Sequence, residues 1–132
     1  MVYQTSEDLV ANLQILFERI QTGGGTATKA VSDARLVIRI RTHSPYVEIT
    51  INGRKTPVAV TYRETNLRPD LDIELSADVL HAILMGNQSL KTAFTRGDMK
   101  VKGPFWKAFA LDGIFRYGQT LYPQVYAASK SE

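Results

Sequence analysis

The stretch Asp72–Gly103, "DIELSADVLHAILMGNQSLKTAFTRGDMKVKG", decides the fold, because its hydrophobic period switches from strand to helix and back. With the preceding Leu71 it opens as an alternation. Leu71, Ile73 and Leu75 point one way and Asp72 and Glu74 the other, as in a strand with one apolar and one charged face. Ser76 then offers a side-chain oxygen suited to capping a helix, Val79, Leu80, Ile83 and Leu84 make that helix broadly apolar, and Gly86 stands just past its end. A second short helix is predicted from Ser89 to Gly97. "DMKVK" follows as a brief strand with Met99 and Val101 opposed to Lys100 and Lys102.

Towards the C-terminus, Gly103-Pro104 predicts the start of a last helix, since the missing N–H of proline has no partner to lose in a first turn. Trp106, Phe109, Ala110, Gly113, Ile114 and Tyr117 recur at helical spacing. Phe105, Ala108, Leu111 and Phe115 widen that surface, leaving Lys107, Asp112 and Arg116 as its only charges. This is a great deal of apolar surface for so small a chain.

Towards the N-terminus, "ARLVIRIR" sets Leu36, Ile38 and Ile40 on one face and Arg35, Val37, Arg39 and Arg41 on the other. "YVEITING" repeats the alternation with Val47, Ile49 and Ile51 inward, and "PVAVTY" adds Val58, Val60 and Tyr62. Asn52-Gly53 is a hairpin signal and Pro45 marks the earlier turn, so the three runs are predicted to form an antiparallel meander with one buried face. Before them, Thr5 or Ser6 caps a helix with Leu9, Leu13, Leu16, Phe17 and Ile20 on one stripe. Gly23, Gly24 and Gly25 end it as a cap and flexible link, glycine being at ease in the left-handed conformation found past helix ends.

With 132 residues, 44% of them hydrophobic, the chain has room for one domain and one sizeable core. Its net charge of +3 is weak evidence for an anionic partner. The lack of cysteine excludes disulfides and thiolate chemistry and suits a reducing compartment. No leader pattern opens the sequence, and no apolar run approaches the ~18 residues that span a bilayer, so the protein is expected to be cytoplasmic.

The order of these parts resembles the C-terminal half of the sterol carrier protein 2 (SCP-2) like sterol/lipid-binding family. An acidic strand, Asp72 to Leu75, leads into a helix ending in glycine, Ser76 to Gly86. A second short helix carries Ala93-Phe94, and a Gly-x-apolar-x-apolar-x-Gly strand runs from Gly97 to Gly103. The N-terminal helix and meander match the family more loosely. The resemblance implies a single lipid-binding domain over residues 1–132, of α+β class. It implies a mixed five-stranded sheet in the order 3-2-1-4-5, with helices packed on one face, enclosing an apolar tunnel for fatty acid, acyl-CoA, sterol or other lipid. Binding and transfer would be non-enzymatic, with no cofactor and with transient membrane contact. On that arrangement Leu80, Ile83, Leu84, Phe94, Met99, Phe105, Trp106 and Phe109 line the ligand site, with Arg96, Lys107 or Arg116 near an anionic headgroup. The ending "AASKSE" lacks a peroxisomal address of the Ser-Lys-Leu type.

Other readings fare less well. "GDMKVKGP" alternates and ends in proline where a phosphate loop would lead into a helix through Lys-Ser or Lys-Thr. Lys100, Lys102, Lys107 and Trp106 suit nucleic acid in type, but alternation puts both strand lysines on a face that is ordinarily solvated, and no nucleic-acid partner is expected. His43 and His81 lack metal spacing or a nucleophile elbow, and Asp72 and Glu74 answer neighbouring cations more readily than they form a catalytic pair. Patterning alone does not separate a cavity from a filled core. An accessory module docking through its apolar C-terminal helix remains the alternative.

Overall fold

A computed structural model describes residues 1–23 and 26–130. Helix α1 (Ser6–Thr22) is capped by Thr5, whose hydroxyl accepts from the Asp8 amide at 3.1 Å, and it buries the predicted stripe together with Asn12. Gly23 is its C-cap at φ −82°, not left-handed; a Cβ there would lie 1.9 Å from the Tyr117 hydroxyl, so any side chain would have to displace that ring. Gly24 and Gly25, the rest of the predicted stop, lie outside the described residues. A short helix α2 (Lys29–Asp33), not foreseen, leads to the sheet.

Strands β1 (Val37–His43), β2 (Val47–Asn52), β3 (Ala59–Thr61), β4 (Leu71–Ser76) and β5 (Met99–Lys102) form one mixed sheet in the expected order β3-β2-β1-β4-β5. Only β1 and β4, at its centre, run parallel. Register aligns Ile49, Ile40, Ile73 and Val101 in one row, and Val47, Thr42, Leu75 and Met99 in another. These rows face the helices. On the opposite face Thr50, Arg39, Asp72 and Lys102 align, beside Glu48, Arg41, Glu74 and Lys100. Thus Arg39 and Arg41 converge on one Asp72 oxygen at 2.5 and 3.1 Å. The predicted basic-acidic-basic order across β1, β4 and β5 is present, although Lys100 and Lys102 stand opposite their acids without a close ion pair among the described residues. Burial works against the charged Asp72 carboxyl, but the Arg39 hydrogen bond and the charges of Arg39, Arg41 and Lys102 outweigh it and hold the group below its usual range.

Three local expectations need correction. Arg35 sits in a turn at φ 52°, ahead of β1, and does not share its charged face. The Asn52-Gly53 pair does not make a two-residue hairpin: Asn52 faces Ala59, and the connection runs from Gly53 through Val58. Gly53 is there for space, since a Cβ would stand 2.4 Å from the Val31 carbonyl. The last helix begins instead as a 3₁₀ helix, Phe105–Leu111, behind Pro104, and becomes α5 only at Asp112, running to Lys130.

Helix α3 (Ala77–Leu84) starts at the predicted cap Ser76, helix α4 (Leu90–Thr95) starts one residue after the predicted Ser89, which is its cap, and Gly86 and Gly97 follow them at φ 81° and 79°. Helices α1, α3, α5 and the 3₁₀ segment cover the apolar face of the sheet, and the core lies between these two layers. No helix among the described residues is long and apolar enough to cross a membrane.

Candidate functional site

Between the sheet and its helical cover lie two apolar voids of about 10 Å³ each. The first is bounded by α1 residues such as Leu13 and Phe17, with Ile49, Leu84 and Ile114. The second is bounded by Ile73, Leu75, Leu90, Met99 and Leu111. Ile40, Leu80 and Phe115 border both, so these three side chains form the partition between them. Ile40 is fixed by ladders on both sides. Phe115 belongs to the first turns of α5, immediately after the 3₁₀ segment, where the cover changes helix type.

The expected lining residues divide into two groups. Leu80 and Leu84 border the first void and Leu80 and Met99 the second, while Ile83 is fully buried beside them. Phe94, Phe105, Trp106 and Phe109 are 38, 51, 61 and 58% exposed and lie on the outside of the cover. Phe94 and Phe105 stack at 5.7 Å with planes 9° apart, and Trp106 meets the Phe105 edge. Where the expectation placed an apolar tunnel, helix and sheet side chains meet, and what stays open is the pair of small voids. Phe115, Ile40 and Leu111 were missing from the predicted lining. Phe115 lies four residues after Leu111, and that spacing was the available signal.

Of the possible headgroup cations, Arg96 pairs with Asp98 at 3.7 Å and Arg116 with Asp112 at 2.7 Å. Lys107 takes part in no ion pair among the described residues.

A polar chain ties the far end of the cover together. The Asn12 amide donates to the Tyr3 hydroxyl at 2.8 Å, the Tyr3 and Tyr122 hydroxyls lie 2.6 Å apart, and the Tyr122 hydroxyl lies 2.7 Å from His81 Nδ1. The Tyr3–Tyr122 and Tyr122–His81 bonds can each run in either direction, since the Tyr3 oxygen has a lone pair left after accepting from Asn12 and a neutral imidazole carries its proton on either nitrogen. Burial lowers the His81 pKa and raises those of Tyr3 and Tyr122, which keeps the ring neutral and both hydroxyls protonated. His81 therefore joins α1, α3 and α5 structurally. A groove of about 400 Å³ lies nearby, with Asp8, Asn12, Arg19 and Lys130 among its polar walls.

Comparison with known proteins agrees with this geometry. The family model of the SCP-2 sterol transfer family matches residues 14–116. Among solved structures, the sterol carrier protein domain 2 of Helicoverpa armigera superposes with a TM-score of 0.67 at 20% identity, over 86% of this chain and 89% of that one. Sterol carrier protein 2 from Yarrowia lipolytica, in its apo form, gives 0.58 at 20% identity over 70% and 76%. A double mutant of a sec-alkyl sulfatase gives 0.56 at 17% identity, over 66% of this chain but 14% of that one, so the same fold recurs as a small part of a larger enzyme. No curated protein matches the chain significantly. The chain belongs to the SCP-2 sterol transfer family.

Proposed function

We propose that this chain binds the apolar body of a lipid, such as a fatty acyl chain or a sterol, between its sheet and its helical cover, and transfers it without covalent chemistry. The observation that carries this reading is the pair of apolar voids on either side of Phe115, in a chain of this family. A space of about 10 Å³ holds roughly one water-sized sphere, so a ligand has to part the cover from the sheet. The sheet side is held by its ladders. The cover is weaker, because α4 has six residues and the 3₁₀ segment seven, and 3₁₀ hydrogen bonds are poorly aligned. Moving both outward, with the Phe115 ring, joins the two voids into one channel. Each Å² of apolar surface the ligand removes from water then returns roughly 25 cal/mol against the cost of opening. Lys107, beside Trp106 and in no ion pair among the described residues, is the cation best placed for an anionic headgroup.

Native mass spectrometry of the protein purified from its own host tests this reading. A copurified lipid mass, or stoichiometric uptake of palmitate or a sterol, is expected. A clean apo mass with no uptake of fatty acids, acyl-CoA, sterols or quinones would reject it.

A further inference from the structure

We propose that the exposed aromatic cluster Phe94, Phe105, Trp106 and Phe109 is a docking surface for an anionic lipid bilayer. The proposal rests on the reading of the chain as a lipid carrier and adds the place where cargo is exchanged. At about 200 Å² per ring, the exposed fractions leave about 400 Å² of contiguous aromatic surface, within the range of functional patches. Three threads connect the rings: the Phe94–Phe105 stack, the Phe105–Trp106 edge contact, and the three-residue period that brings Trp106 and Phe109 onto one side of the 3₁₀ helix.

The charges beside these rings select the partner. Lys91 lies three residues before Phe94 on α4 and Lys107 next to Trp106, and neither is in an ion pair among the described residues. The acids nearby, Asp98 and Asp112, are taken by Arg96 and Arg116. The surface therefore carries two lysines outside any ion pair among the described residues around three apolar Phe rings and the amphipathic Trp106 indole, the pairing that settles at a headgroup layer, with rings at the acyl boundary and ammonium groups among anionic headgroups.

Position supplies the second argument. The elements that show these rings to solvent wall the second void from inside: α4 contributes Leu90 and the 3₁₀ helix contributes Leu111. A bilayer seated on the outer side of α4 and the 3₁₀ helix holds the two pieces that have to move, and their displacement opens the interior towards hydrocarbon, not towards water. A second copy of the chain would also cover the rings, but two copies meeting there would bring the lysines of both against each other.

The full chain is incubated with vesicles of phosphatidylcholine alone and of phosphatidylcholine with 30% phosphatidylserine, and partition is read by co-sedimentation. We expect a blue shift of Trp106, quenching of Trp106 by brominated acyl chains, and preference for the anionic vesicles that is lost in 0.5 M salt. Lys91→Gln should weaken partition about fivefold, the effect of one charge near such a surface. No partition, or equal partition on both vesicles with no effect of salt or Lys91→Gln, overturns the proposal. So does a dimer in solution whose Trp106 is shielded from acrylamide. Palmitate uptake in vesicle-free buffer keeps the two readings apart. Uptake without vesicle binding sinks the docking surface alone, and vesicle binding without uptake sinks the carrier reading.

Discussion

Replacing Phe115 by alanine tests the partition directly. The ring is 7% exposed and borders both voids, so its removal fuses them into one cavity on the order of 100 Å³. At ~24 cal/mol per Å³ the cavity alone costs about 2.4 kcal/mol, and with the lost transfer energy the total should reach about 3 to 4 kcal/mol. Against a stability of roughly 5 to 15 kcal/mol the variant should still fold. If ligand passes along the path the ring blocks, the variant no longer has to displace it. Recovering about 1.4 kcal/mol of that cost makes binding about tenfold tighter. Urea unfolding at one fixed palmitate concentration, followed by far-UV circular dichroism, measures both terms. The expected result is a lower midpoint without palmitate and a larger palmitate-induced rise than in the wild type. An equal or smaller rise, with palmitate stabilising the wild type, would refute the placement of the ligand path. Phe115→Leu, which refills most of the space, should cost less than ~1.5 kcal/mol and sit between the two.

Further predictions concern the frame around this path. Asp72→Asn leaves the Arg39 and Arg41 heads, 27 and 28% exposed, without their shared anion, and should cost about 1 to 3 kcal/mol in urea unfolding. Because the Asp72 pKa is lowered by folding, its contribution is complete above the ordinary carboxylate value and lost as pH falls below it. Acid unfolding should therefore be less steep in Asp72→Asn, and identical slopes would contradict the pairing. For His81, burial favours the neutral ring, opposed by Asp78 and reinforced by Lys130. Its contribution is present above about pH 6.5 and lost as pH falls through the lower folded value, so stability should drop as pH falls below 6.5 in the wild type and less in His81→Gln. Gly103→Ala places a Cβ 2.7 Å from the Asp70 carbonyl at φ 110°, and a loss of about 1 to 3 kcal/mol is expected; a neutral result would show that this backbone relaxes freely.

The sheet was legible because its information is local and redundant. Alternation in "RLVIRIR", "YVEITI" and "DLDIEL" fixes inward faces, and three charged strands of alternating sign agree with the central pairing. Serine caps and trailing glycines likewise announce α3 and α4 within the sequence that forms them. What stayed hidden depends on distant partners. Gly23 and Gly53 look like freely turning glycines, yet Tyr117 and Val31 are what a side chain there would run into. Asn12 reads as a polar residue near a helix stripe, and its burial makes sense only once Tyr3 and Ser129 arrive at 2.8 and 3.1 Å. The voids are less legible still. Leu80 and Met99 would look the same in a filled core, since the difference is a matter of contact distances and not of residue type.

Trp106 and Phe109 show how a change of period moves residues across a wall. At 100° per residue Trp106 and Phe109 fall on one stripe with Gly113 and Ile114, and Ile114 is buried, so the stripe points inward. The segment instead turns by about 120° per residue up to Leu111, and over the three residues from Trp106 to Phe109 the two periods diverge by about 60°. The tighter winding gives the inner positions to Ala108 and Leu111, which are buried, and leaves Trp106 and Phe109 outside. Leu111 then closes the wall against Ile73 and Leu75, and the two rings are held on the outer side of that wall. Filling the interior and displaying the rings are thus two consequences of one winding. A ligand that parted the 3₁₀ segment from β4 and β5 would therefore meet Leu111 and Ala108 on the inner side of the moving piece, with the rings still turned away from it.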